Sequence, residues 1–164
     1  MGISTCLFHQ AIYLLLTSAC MTCEDYEFFM GGRMKILVVD DDDSLRSWLA
    51  GELEARGCEV LQTHFGDGGP HLFKKSGPFE LVLSDFRFIP GVKIKNGAQL
   101  VSAIHGLNPL QEMAIMTSDP QDARRNLPKT LRGLSILRKP FRIEQVLRLL
   151  RQPMLPLDCA GVIS

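Results

Sequence analysis

The sequence predicts a doubly wound α/β domain built on a five-stranded parallel sheet, and two observations predict it. Between Met34 and Gln152, short apolar runs alternate five times with stretches of helical periodicity. The first run, rich in β-branched residues, suits a strand covered by helices on both faces, as a parallel sheet requires. Right-handed crossovers leave few ways to wind such a chain, and strand order 2-1-3-4-5 is one of the two common ones.

Each element has its own signal. "KILVVD" (Lys35–Asp40) is the first strand. Leu45, Trp48, Leu49 and Leu53 then fall at helical spacing, which places Trp48 on the apolar stripe as a core residue, and Gly57 is a stop signal. "CEVLQT" (Cys58–Thr63) is the second strand, and the Gly/Pro-rich "FGDGGPHLFKKSGP" after it leaves room for only a brief helix. "FELVLSD" (Phe79–Asp85) is the third strand. A long loop, Phe86–Asn96, leads to a helix whose stripe is Leu100, Val101 and Ile104. "MAIMTS" (Met113–Ser118) is the fourth strand, and Asp119–Arg132 reads as a helix made short or bent by Pro128. "LSILR" (Leu134–Arg138) is the fifth strand, and Ile143, Val146, Leu147 and Leu150 mark the last helix. The whole is a flavodoxin-like pattern, helices on both faces of the sheet.

Composition narrows the class. The chain has 164 residues, 46% hydrophobic and 22% charged, as a soluble globular protein does. Basic and acidic residues balance at 18 each, so the net charge carries no nucleic-acid footprint. Five scattered cysteines (Cys6, Cys20, Cys23, Cys58, Cys159) make no disulfide framework and fit a reducing compartment. Cys20-x-x-Cys23 lacks the second ligand pair that a zinc site wants. The segment "AIYLLLTSACM" is preceded by no Lys or Arg and is too short to span a bilayer, so it meets the needs of neither a secretory signal nor a membrane span. Met1–Arg33 therefore reads as a dispensable extension, as a mis-called translation start would produce, 34–152 as the domain and 153–164 as a short tail. The expected location is cytoplasmic, with no membrane association.

In this strand order ligands bind outside the carboxyl ends of strands 1 and 3, where the winding reverses. Those ends carry Asp40–Asp41 and Asp85. The run "VVDDDDS" crowds four aspartates, and two such charges about 4 Å apart repel by about 4 kcal/mol at an effective dielectric of 20. A cation must answer that repulsion. Few, oxygen-only ligands suit Mg²⁺, or Mn²⁺, better than zinc. Two more strand ends supply a hydroxyl, Thr117, and an ammonium, Lys139, both suited to negative charge that develops in phosphoryl transfer. One aspartate is then left as a nucleophile.

With an acidic pair after the first strand ("VVDD"), Asp after the third ("LVLSD"), Thr after the fourth ("AIMTS") and "KPF" after the fifth, Lys35 to about Gln152 resembles the receiver domains of two-component response regulators. The resemblance implies a phosphoacceptor, Asp85, and a Mg²⁺ site formed by Asp40 (mainly through water), Asp41, Asp85 and the backbone carbonyl of Arg87. It implies Thr117 as switch hydroxyl, Lys139 as phosphate-binding lysine and a cis bond before Pro140. Arg46 matches a basic position and sets the register on Asp40 and Asp41. Asp42 matches a common acidic position, which leaves Asp43 and Ser44 to start and cap the helix. The partners implied are a histidine kinase or histidine phosphotransfer protein and a downstream protein effector, with no nucleic acid bound. Such a stand-alone receiver is not an enzyme beyond its own phosphorylation and dephosphorylation.

The sequence also departs from that pattern. Pro90 lies one residue late, Gly97 follows a lengthened loop bearing Lys93 and Lys95, and Ile136 stands where many receivers have Tyr or Phe. Activation is therefore expected to lean on the loops after strands 3 and 4; a rotamer flip of Ile136 is the alternative. Phe86 and Phe88 either cover the site or pack under the loop. Arg142, Arg148 and Arg151 beside the last apolar stripe make either a docking face or a solvated basic edge. His9, His64, His71 and His105 share no ligand spacing. The rival reading is a phosphatase of the haloacid-dehalogenase type, with Asp40 as nucleophile and Asp42 as acid/base. That reading wants an acidic pair beyond Lys139, where only Glu144 and Asp158 stand, and leaves Asp85 unexplained.

Overall fold

Strands apolar on both faces need helices above and below, and the chain provides them. The computed structural model describes residues 33–88 and 93–150. The expectations for the extension, Pro90, Arg151, the tail and every cysteine but Cys58 lie outside those residues. Strands β1 (Lys35–Val39), β2 (Glu59–Thr63), β3 (Leu81–Asp85), β4 (Met113–Thr117) and β5 (Ser135–Arg138) form one parallel sheet, ordered β2-β1-β3-β4-β5. The register pairs Val39 with Ser84, Asp85 with Met116, and Thr117 with Arg138. The carboxyl ends of β1, β3, β4 and β5 are thereby brought side by side.

Period-two alternation sorts the strand residues into two cores. Ile36 and Val38 face Leu49 and Leu53 of α1 (Asp43–Glu54) and Val146 and Leu149 of α5 (Ile143–Leu150). Leu37 and Val39 face the other way. They pack with Leu100, Val101 and Ile104 of α3 (Gly97–Leu107) and Ala123 of α4 (Pro120–Asn126). The helix α2 (Gly68–Ser76) adds Leu72 and Phe73 to the edge of this second core. Burying each of these large aliphatic side chains stabilises the fold by about 1.5–3 kcal/mol before entropy is counted. Phe86 and Phe88 belong to this second core, so they pack beneath the loop.

Two local expectations are corrected. The cap of α1 is Asp42, whose extended backbone brings its carboxylate to the amides of Ser44 and Leu45 at 2.9 and 3.1 Å. Asp43 lies inside the first turn, paired with the Arg46 guanidinium. Trp48 is not core: it is 41% exposed, its ring 6.2 Å from that of Phe141. Leu49 and Leu53 take the sheet-facing positions and leave the indole at the margin of the stripe. Pro128 acts as expected. Leu127 before it is extended, α4 ends at Asn126, and a 3₁₀ turn (Lys129–Leu131) carries the chain to β5.

The start of α3 is pressed against the end of β3. Gly97 donates its amide to the Phe86 carbonyl at 2.8 Å, and a Cβ on Gly97 would lie 2.3 Å from the Asp85 carbonyl oxygen. No rotamer relieves such a contact, because backbone meets backbone. Gly97→Ala is therefore expected to cost about 1–3 kcal/mol by overpacking. Gly106→Ala, with open space around its Cβ in the same helix, is expected to be neutral or stabilising. Thermal melts of the two variants check this; equal melting temperatures would refute the close packing at Gly97.

Candidate functional site

The site is assembled by strand ends that share one edge of the sheet. The ladder runs one residue past β1, with the Asp40 amide donating to the Thr63 carbonyl at 3.2 Å. Asp40 is completely buried. Its Oδ1 accepts from the Asp42 amide at 2.9 Å and its Oδ2 from Lys139 Nζ at 2.8 Å. Asp85 closes β3; its Oδ1 accepts from the same Nζ at 2.6 Å and its Oδ2 from the Arg87 amide at 2.8 Å. One ammonium thus bridges two carboxylates 45 residues apart in sequence.

Lys139 is aimed by its backbone. Its amide donates to the Thr117 carbonyl at 2.7 Å, and the Lys139–Pro140 peptide is cis, as is Gly77–Pro78. Arg46 lies under the other side of the site, where its Nη1 donates to the Asp40 carbonyl at 2.7 Å. Thr117 is buried, and its hydroxyl oxygen accepts from the Asp119 amide at 3.1 Å. Asp119 in turn caps α4 through the amides of Gln121 and Asp122, and those bonds, the one from Asp122 first, lower its pKa.

Lys139 is shared by two buried carboxylates, and the electrostatics reflect it. Burial pushes the Asp85 carboxyl above the usual aspartate value, Asp40 adds to the effect, and the hydrogen bond and charge of Lys139 do not overcome it. Burial works against the Lys139 ammonium too, but hydrogen bonds to Asp40 and Asp85 more than offset it and hold that pKa above the ordinary lysine value. Asp41, half-buried, brings a third carboxylate, and ligand oxygens of Asp40, Asp41 and Asp85 all lie within 4.8 Å of one another. Three carboxylates clustered this closely, with oxygen as the donor throughout, match a hard divalent cation such as Mg²⁺.

Around this cluster the structure adds features that sequence reasoning missed. A groove of about 520 Å³ opens beside Lys139, lined by Asp42, Leu45, Trp48, Pro140 and Phe141. The Arg87 guanidinium pairs with Asp122 of α4 at 3.2 Å. The Asp67 carboxylate accepts from the Lys93 and Ile94 amides at 3.1 and 2.7 Å and so ties the long loop to the start of α2. Neither pairing has a local sequence signal, since the partners are far apart in the chain. Lys93 and Lys95 are exposed, as are Arg142 and Arg148, and Ile136 is half-buried against the second core.

No family model and no curated protein matches the chain by sequence. Solved structures do. A response regulator receiver domain from Clostridium thermocellum aligns at 22% identity and a TM-score of 0.62, over 71% of this chain and 90% of its own. The receiver domain of the hybrid histidine kinase CckA aligns at 27% identity and a TM-score of 0.54, over 71% of this chain and 98% of its own. The response regulator TrrA of Thermotoga maritima, in complex with Mg²⁺ and BeF, aligns at 25% identity and a TM-score of 0.58, over the same shares of the two chains. The protein has the fold of a response regulator receiver domain. Among the described residues no helix is long and apolar enough to cross a membrane.

The raised Asp85 pKa has a consequence for stability. A carboxyl whose folded pKa exceeds its unfolded value opposes folding once ionised; the penalty is absent below the unfolded pKa and complete above the folded one. Asp85→Asn, which removes the charge and keeps the shape, is expected to melt a few degrees above the parent at neutral pH without divalent cation, on a scale of about 4 °C per kcal/mol. The difference is expected to vanish as pH falls below the unfolded aspartate value and to narrow in Mg²⁺, which neutralises the parent's site. A lower melting temperature for Asp85→Asn at neutral pH would contradict the crowding.

Proposed function

We propose that this protein is the phosphoacceptor of a two-component phosphorelay, taking a phosphoryl group onto Asp85 from a phosphohistidine of a histidine kinase or histidine phosphotransfer protein. The observation that carries this reading is Lys139 Nζ held between Asp40 and Asp85, with Asp41 and Thr117 beside them. The receiver fold, and a receiver neighbour in complex with Mg²⁺ and BeF, support it. In this reading an Asp85 carboxylate oxygen attacks phosphorus, the phosphorus–nitrogen bond breaks, and the imidazole leaves. Lys139 then shifts from the carboxylate to a phosphoryl oxygen, and the Thr117 hydroxyl turns from Asp119 to donate to another. Mg²⁺, or Mn²⁺, held by Asp41, Asp85 and the Arg87 carbonyl, with Asp40 acting through water, would neutralise charge on the phosphoryl oxygens.

The phosphodonor protein has a place to sit. The groove beside Lys139 carries exposed Trp48 and half-buried Phe141, aromatic surface next to the lysine. The phosphorylated form then signals in the cytoplasm to a protein effector, without binding nucleic acid itself. The dehalogenase-type phosphatase gains no support: its acid/base, Asp42, is committed to capping α1.

Incubation with a small acyl phosphate and Mg²⁺ is expected to label Asp85, by peptide mapping, and Asp85→Asn to abolish labelling. Asp41→Ala is expected to lose Mg²⁺ affinity by more than about tenfold, as loss of a direct ligand does, whereas Asp43→Ala, altered outside the cluster, should bind as the parent does. Label on Asp40, or equal Mg²⁺ losses in both variants, would sink this assignment.

The folding unit we propose is 34–152. A chain starting at Met34 should melt within about 2 °C of the full chain and accept phosphate equally; its aggregation would show that the extension packs on the domain.

A further inference from the structure

The geometry points to the Arg87–Asp122 ion pair as a resting-state latch on α4, opened when an aspartyl phosphate at Asp85 draws the guanidinium away. The inference rests on the reading of Asp85 as phosphoacceptor and goes beyond it, naming a positioning device outside the acceptor cluster. Arg87 stands two residues after Asp85, and its amide already donates to Asp85 Oδ2 at 2.8 Å. Its backbone is thus fixed to the group that would carry phosphorus, while its side chain, 66% exposed, reaches across to α4. There Nη2 meets Asp122 Oδ2 at 3.2 Å, 35 residues further along the chain.

The helix at the far end is short. It has seven residues, too few to be stable alone, and Ala123 is its one buried residue. Its amino end depends on the Asp119 cap, and Asp119 depends on the Thr117 hydroxyl. Arg124 ties the middle of α4 to the Arg132 and Leu134 carbonyls, and two ties hold its amino end in the resting state, the Thr117 bond and the Arg87 ion pair. A phosphoryl group on Asp85 competes for both. It brings about 1.5 to 2 negative charges and three strong acceptor oxygens, and guanidinium binds phosphate oxygens through two parallel bonds where it can. An exposed ion pair contributes little stability by itself, so its weight lies in being exchanged for a stronger partner.

Two anions competing for one guanidinium are linked. Removing Asp122 must favour the phosphoryl-bound form, and only while Arg87 is present. The test uses the full chain and Mg²⁺ with beryllofluoride as the phosphoryl mimic, titrated calorimetrically against the parent, Asp122→Asn, Arg87→Ala and the double variant. Asp122→Asn keeps the shape of the side chain and can still accept from Asn126, so it is expected to fold. The expected result is roughly two- to fivefold tighter binding for Asp122→Asn, weaker binding for Arg87→Ala, and no tightening by Asp122→Asn in the Arg87→Ala background. Amide exchange of Asp122→Asn without mimic is expected to move at 120–131 in the direction that mimic moves the parent. Unchanged or weaker binding by Asp122→Asn overturns the latch, as does equal tightening in both backgrounds, which would be a general charge effect. If the parent binds no mimic, the phosphoacceptor reading fails together with the latch; if it binds and Asp122→Asn has no effect, the latch alone fails.

Discussion

The ammonium of Lys139 is what lets the rest of the site exist. Three carboxylates meet at the ends of two adjacent strands, and one of them, Asp40, has no access to water. Without a cation between them, the burial of that charge would favour a different packing of the strand ends. Lys139 reaches both Asp40 and Asp85 because β5 ends beside β4, its amide secured to the Thr117 carbonyl. The sheet order is therefore an electrostatic requirement as well as a packing one. Moving β5 from the edge next to β4 would remove the ammonium from the aspartates.

The arrangement is also costly for Asp85, whose pKa burial and the neighbouring Asp40 raise against the pull of Lys139. Arg46 is near, but it donates to a carbonyl and pairs with Asp43, outside the carboxylate cluster. The structure thus accepts a cost at Asp85, as functional sites commonly do. The same economy applies to Thr117, whose hydroxyl oxygen engages a backbone amide that it can give up.

Much of this was legible in the chain because the strands are short, strongly apolar and end in polar residues. The five runs, the brief α2 and the stop at Pro128 follow from local patterns, and the meeting of Asp40, Asp41, Asp85, Thr117 and Lys139 follows from strand order. What escaped lies at margins or across distance. Trp48 fits the helical spacing, but a stripe has two borders, and Leu49 and Leu53 fill its centre. Asp42 took the cap from Asp43 because backbone conformation, not composition, picks one oxygen from four neighbouring aspartates. Arg87 and Asp122, or Asp67 and Ile94, meet only once the sheet has formed, and nothing in their neighbourhoods announces it.

The hydrogen bond from the Gly97 amide to the Phe86 carbonyl joins the two ends of the long loop after β3. Seen from the rest of the protein, that segment is a closed excursion with both of its feet planted on the same spot. Its contour can lengthen without moving either foot, and the entropy of closing a flexible loop rises by only about 0.6 kcal/mol for each doubling of its length. A lengthened loop can therefore sit one residue from Asp85 without disturbing it. The loop is held again at Lys93 and Ile94, whose amides reach Asp67, so its far side is moored to the start of α2 while its two ends meet beside the acceptor.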